Sequence, residues 1–273
     1  MSDTTEFTTL QNLLKSGKLI PFVGAGLSIP LGLPSWSKLL DIIAAQLEYD
    51  PEVFRLSGNY LQLAEYYVAT KGSIGRLRSE MDRLFDPTDE AISEAIRLSR
   101  AHNALVDMKL PLIYTTNYDF IIERAFELRK VPCFTIANID DIAMAPSDST
   151  HVVKFHGTFD DDASLVMTES SYFERLEFES AIDIKLRADT LGRCLLFIGY
   201  SLSDINIRYM IYKLHKLRRK AKLETNRLPI AYLVTFGAGE VQKTLLAKWD
   251  VRVVELDPIN KTLSLGTFLE ALL

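Results

Sequence analysis

Residues 195–199 (LLFIG) are apolar without a break and end on a glycine. So short and uniformly apolar a run is buried on both faces, as the central strand of a parallel sheet is. Other strand-like runs fall at 18–23, 112–115, 131–136, 152–155, 230–236 and 251–256. Helical patterns fall at 6–16, from Ser35 onward, and at 120–128, 204–222 and 240–248. Strands alternating with helices predict an α/β fold, a doubly wound, Rossmann-like parallel sheet. Pro21 in the first strand is tolerable near a strand start or edge. Between 38 and 108 no strand signal interrupts the helical spacing, with Leu61, Ala64 and Tyr67-Val68 on one face and Ile92, Ala95-Ile96 and Leu98 on another. That stretch reads as a helical insertion within a single domain of residues 1–273.

Composition narrows the function classes. A net charge of -5 argues against a dedicated nucleic-acid binder. Cys133 and Cys194 are the only cysteines, too few for a four-thiolate zinc site and not spaced as a disulfide framework, so a reducing cytoplasm is expected. The uncharged stretch 19–37 contains Pro21, Pro30 and Pro34 with Gly24, Gly26 and Gly32, which would break a spanning helix. The acidic N-terminus before it is wrong for a signal peptide, so neither a membrane anchor nor secretion is expected.

Four segments carry candidate chemistry. Gly24-Ala25-Gly26-Leu27-Ser28 follows the first strand, where small residues let backbone N–H groups approach a pyrophosphate and Ser28 adds a hydroxyl. The match to G-x-G-x-x-G is partial, since Ile29 stands where the third glycine belongs, and a tight structural turn explains the same residues. Asn117 and Asp119 follow the strand at 112–115, at the end where open α/β sheets form their ligand crevice. Both residue types also cap helices; Asn117 can in addition accept from a water while donating to a ribose hydroxyl. His156 ends another strand, with Gly157 next, and is the side chain suited to proton exchange near neutrality. His102 and His215 read as surface residues in polar helices, and His151 sits at a strand start. Gly199-Tyr200-Ser201 offers a second set of backbone donors, and Asp204 reads simply as a cap for the helix expected at 205–222. The basic cluster Lys213, Lys216, Arg218, Arg219, Lys220 and Lys222 reads as a solvated helix end, favoured by the macrodipole.

In this order the segments resemble the sirtuin family: Gly24-Ala25-Gly26-Leu27-Ser28, Gly32-Leu33-Pro34, Asn117-Tyr118-Asp119, His156-Gly157 and Gly199-Tyr200-Ser201. The resemblance runs from about residue 18 to 256. It implies that Gly24, Ala25, Gly26 and Ser28 hold the phosphates of NAD, that Asn117 and Asp119 sit at the nicotinamide ribose, and that His156 is the base. The chain departs from protein-deacylating sirtuins in three places. It lacks four zinc-binding cysteines, it has Trp36-Ser37 where those enzymes carry Phe-Arg, and it has Thr116 where they carry glutamine. In these it looks like the bacterial sirtuin-like effectors of anti-phage defence, which hydrolyse NAD: Thoeris effectors, phage-resistance sirtuins and the sirtuin-like partners of HerA-type ATPases.

The resemblance implies an NAD glycohydrolase of abortive-infection defence that needs no metal. The nicotinamide–ribose bond is glycosidic and its cleavage passes through an oxocarbenium-like state. Asn117 would position the water or the ribose hydroxyls and His156 would take the proton, giving ADP-ribose and nicotinamide. An NAD-dependent protein deacylase and a non-catalytic NAD or ADP-ribose sensor remain as alternatives. A toxic hydrolase needs a gate, and with the chain filled by the α/β domain and its insertion, the gate is expected in self-assembly or in a separate chain, a HerA-like ring ATPase or an Argonaute-like partner. The helical block at 38–108 and the basic helix are the expected contact surfaces.

Overall fold

The computed structural model describes residues 4–33, 36–84, 88–200, 205–220 and 228–273. Ser35, Ser201, Asp204 and Lys222, all given roles above, lie outside the described residues. Helix α1 (Thr4–Lys15) leads into β1 (Leu19–Val23), and two single 3-10 turns, Ala25–Leu27 and Ile29–Leu31, follow it. Six helices come next: α2 (Trp36–Gln46), α3 (Pro51–Leu56), α4 (Tyr60–Lys71), α5 (Gly75–Leu84), α6 (Glu90–Leu98) and α7 (Arg100–Asp107). The chain then alternates through β2 (Leu112–Thr115), α8 (Ile121–Leu128), β3 (Cys133–Ile136), α9 (Ile139–Met144) and β4 (Thr150–Lys154). Helices α10 (Glu169–Glu177) and α11 (Ala181–Asp189) precede β5 (Cys194–Ile198). Then come α12 (Ile205–Lys220), β6 (Ala231–Thr235), α13 (Glu240–Lys248), β7 (Val251–Glu255) and α14 (Lys261–Leu272).

The seven strands form one all-parallel sheet in the order β3-β4-β2-β1-β5-β6-β7. The chain builds outward from β1 on one side and then returns to lay β5 on the other, so the topological switch falls between β1 and β5. Open α/β sheets bind their ligands at the carboxyl ends of the strands at this point. Both strands are buried along their whole length. Their side chains alternate between two apolar layers: Leu19, Val23, Leu196 and Ile198 enter one, and Ile20, Phe22, Leu195 and Phe197 the other. Pro21 sits mid-way along this central strand rather than at an edge. The β1–β2 ladder runs only through Phe22 and Val23, past the proline, so that pairing does not need a proline N–H.

A third apolar cluster joins α2–α5 through residues such as Ile43, Phe54, Leu63, Tyr67, Leu77 and Met81, and it also takes in Tyr118 and Phe159 from the strand-end loops. Helices α2–α5 therefore pack directly against the residue that separates Asn117 from Asp119, whereas α6 and α7 join the layer that packs on the sheet. Four helices go beyond the sequence reading: α9, α10, α11 and α14. The first three open with short-chain capping boxes, Asn138/Asp141, Thr168/Ser171 and Ser180/Asp183. Among the described residues no helix is long and apolar enough to cross a membrane.

Two other expectations need correcting. His102 is buried on α7, not on the surface; its Nδ1 lies 2.7 Å from Ser99 Oγ, and burial pushes its pKa down to about 4. His215 is half-buried. Arg218 is not part of a solvated helix end. It donates to the carbonyls of Thr190 (2.7 Å), Leu228 (3.1 Å), Pro229 (3.2 Å) and Arg193, tying α12 to the lower ends of β5 and β6.

Candidate active site

Gly24 and Gly199 end the two strands that flank the switch point, and their loops interlock. Gly24 N–H donates to Ile198 O at 2.8 Å and Gly26 N–H to Gly199 O at 3.1 Å. A Cβ on Gly24 or Gly26 would come within 2.8 Å of Gly199 O, and Gly199 itself has φ +74. Glycine is required at all three positions for backbone to meet backbone. The N–H groups of Leu27 and Ser28 are likewise bonded, to Gly24 O and Ala25 O. Most donors of the first loop are thus used inside the protein, and a phosphate here would meet Ala25 N–H and the Ser28 hydroxyl. Tyr200 closes the same corner. Its hydroxyl donates to Val23 O at 3.0 Å and lies 2.6 Å from Thr116 Oγ1.

Ser28, Asn117 and Asp119 come together beneath this loop. Asn117 Nδ2 donates to Ser28 Oγ at 3.1 Å, and its backbone N–H donates to Thr115 Oγ1, which itself donates to Val23 O. Asp119 Oδ1 accepts Ile121 N–H at 3.1 Å at the start of α8. Burial raises the Asp119 pKa above the usual carboxylate range, against the opposing pull of Lys154 and the Ser28 hydroxyl. Ser28, Asn117, Asp119 and His156 are each 6% exposed or less.

His156 is joined to this cluster by two bridges. Tyr118 Oη donates to Val166 O at 2.6 Å, and Val166 N–H donates to His156 O at 2.9 Å. Lys154, fully buried two residues earlier, donates to Asp119 O and pairs with Glu123 at 2.9 Å. The segment 115–119 is therefore tied to the segment 154–157 by both a tyrosine and a lysine. Gly157 permits the turn, because its φ is +82 and a Cβ would lie 2.1 Å from Ser164 O. The imidazole of His156 packs edge-on to Tyr172 at 5.4 Å, and its Nε2 is buried with no hydrogen-bond partner among the described residues. Burial first, and the Arg175 cation second, push its pKa down to about 3, so it is neutral. An orphaned nitrogen of this kind calls for an explanation.

A cavity of about 940 Å³ lies alongside, lined by Gly26, Leu27, Gly199, Thr235, Phe236 and Lys261 among others. It touches the two glycine loops and the end of β6, but its lining does not include Asn117, Asp119 or His156. Its size suits a nucleotide. Among the described residues no group of three or more His, Cys, Asp or Glu side chains is placed to hold a metal ion. The side chains of Lys154, Tyr118, Tyr200 and Arg175 have no expected role in the sequence, although Tyr118 and Tyr200 lie within segments that do.

Such a sheet, with its polar cluster at the switch point and a histidine at the next strand end but one, defines a doubly wound α/β domain whose crevice opens at the ends of β1 and β5. The chain belongs to the SIR2-like family: residues 111–254, just over half of it, match the SIR2-like domain model. It is 28% identical over 197 residues to the NAD(+) hydrolase ThsA of Cytobacillus dafuensis, covering 72% of this chain and 38% of that protein. The ThsA of Enterococcus faecium is 30% identical over 202 residues, covering 72% and 40%. The defense-associated sirtuin 2 of Bacillus subtilis is 26% identical over 211 residues, covering 75% and 20%. The chain thus spans about two fifths of the length of the ThsA relatives, and less of the third.

Proposed function

We propose that this chain binds NAD across the β1–β5 crevice and hydrolyses the nicotinamide–ribose bond, releasing nicotinamide and ADP-ribose, as a defence effector. The reading is supported by relatives that carry the name NAD(+) hydrolase and by one that is called a defence-associated sirtuin. The observation that carries it is the unpaired, buried Nε2 of neutral His156, tied through Val166 and Tyr118 to the Ser28–Asn117–Asp119 cluster.

In this reading Ala25 N–H and the Ser28 hydroxyl meet the phosphates, with the Gly24, Gly26 and Gly199 backbone shaping the approach. The adenosine end occupies the neighbouring cavity. Asn117 and Asp119 hold the ribose hydroxyls and the attacking water. His156 removes the proton, directly or through a ribose hydroxyl. The ribose brings polar groups beside the imidazole and relieves the burial that weakens it as a base. Because all four side chains are buried, NAD can reach them only by displacing part of the surrounding structure, and that displacement is where assembly or a partner chain acts. The helices at 38–108 form the inserted block that receives the partner.

Incubating the purified chain with NAD and the Asn117→Ala and His156→Ala variants tests the roles. Each variant should lose nicotinamide release by about 100-fold or more, with unchanged circular dichroism, while His215→Ala stays at the wild-type rate. Full turnover by folded His156→Ala removes it from the mechanism. Saturable NAD binding without turnover by the wild type selects the sensor reading.

A further inference from the structure

His156 is fixed by an element that contains none of the candidate site residues. On α10, Arg175 Nη2 donates to Phe155 O, the carbonyl just before the histidine, at 2.8 Å. The guanidinium also lies 4.2 Å from the centre of the Phe155 ring. Its Nη1 donates to Ser180 Oγ at 2.6 Å, and it forms an ion pair with Asp183 at 3.1 Å. Asp183 accepts in turn from Ser180 N–H (3.1 Å) and Ser180 Oγ (2.7 Å) at the cap of α11. The two charged side chains are 10% and 1% exposed. Three residues earlier on α10, Tyr172 sets its ring against the imidazole.

Stability alone is a poor reason for this arrangement. A buried ion pair must overcome the desolvation of both ions, and apolar replacements are often neutral or better. Here the pair stands at the strand end that carries the unpaired imidazole. We propose that Arg175, with Asp183 as its counter-ion, is a positioning residue for His156: its planar fork fixes the Phe155 carbonyl and so the aim of the imidazole at the end of β4. The assignment rests on the reading of His156 as the base. The groups facing the imidazole are Arg175 and Tyr172 from α10, with Asp183 of α11 behind the guanidinium. Arg175 adds to the burial that keeps the ring unprotonated, so charge and geometry make separate contributions.

Arg175→Lys keeps the charge and loses the fork. Arg175→Met/Asp183→Asn removes the charge pair without leaving one ion buried alone. Both are measured for kcat and KM of nicotinamide release, and for the titration of His156 by NMR across the pH range in which the fold is intact. The lysine variant should lose kcat on the order of 10- to 100-fold, as for a displaced reacting group, with KM and the His156 titration near wild type. The double variant should show a similar loss in kcat and a His156 titration moved to higher pH. Inactive His156→Ala, together with wild-type kcat and an unmoved titration in both Arg175 variants, overturns the positioning role and leaves the base reading standing. Wild-type turnover in folded His156→Ala overturns both.

Discussion

His102 and His156 are buried and neutral, with folded pKa values near 4 and 3, below the ordinary histidine value of 6.5. A group whose folded pKa is lowered takes up its proton more readily when unfolded. Its contribution is therefore full above 6.5 and is lost as pH falls toward the folded value. The loss amounts to up to about 1.4 kcal/mol per pH unit for each histidine. Asp119, whose pKa is raised by burial, works in the opposite sense. Urea unfolding at several pH values between 6.5 and about 4 should show stability falling, and His102→Gln or His156→Gln should flatten the slope. Equal slopes in wild type and both variants would contradict the assignment of buried neutral rings. At this scale the positions of Asn117 and His156 just past the ends of two strands were legible, because each follows a short strand run in the sequence. Lys154 and Arg175 were not. Their partners lie 35 and 20 residues away, and no local pattern encodes such a contact.

Strands β1 and β5 were readable because full burial leaves an unbroken apolar run. Helices α10 and α11 were missed for a specific reason. Their capping boxes use Ser171 and Asp183 at the third position, where the usual signature is Glu or Gln. The meaning of the glycines in the first loop was also only half legible. Sequence could read them as a phosphate cradle or a tight turn, whereas the structure uses Gly24 and Gly26 for contact with Gly199. That contact makes an element-scale prediction. Gly26→Ala places a Cβ 2.8 Å from Gly199 O and must push the β1 and β5 loops apart. Hydrogen exchange at the Gly24 and Gly26 amides should then accelerate about 10-fold or more, as a local opening loses at least about 1.4 kcal/mol. Unchanged exchange would show that the loops are not interlocked.

Across the whole molecule, helices α2–α5 and the crevice share the third apolar cluster through Tyr118 and Phe159. A movement of α2–α5 therefore reaches Asn117 and the loop after His156 without any contact to a ligand. This is the physical basis we propose for control by assembly: shifting the helical block opens the closed site. Mass photometry run beside a nicotinamide-release assay should show activity changing at least about tenfold with oligomeric state or partner, equivalent to about 1.4 kcal/mol in the barrier. Full activity in a stable monomer at every concentration would show that the block does not gate the site. Cleavage of NAD by water alone, as proposed for the SIR2-like crevice, is checked by following NAD with the purified chain by chromatography, with and without an acyl-lysine peptide. Equimolar nicotinamide and ADP-ribose are expected in both cases; nicotinamide released only with the peptide, accompanied by its deacylation, would show a deacylase instead.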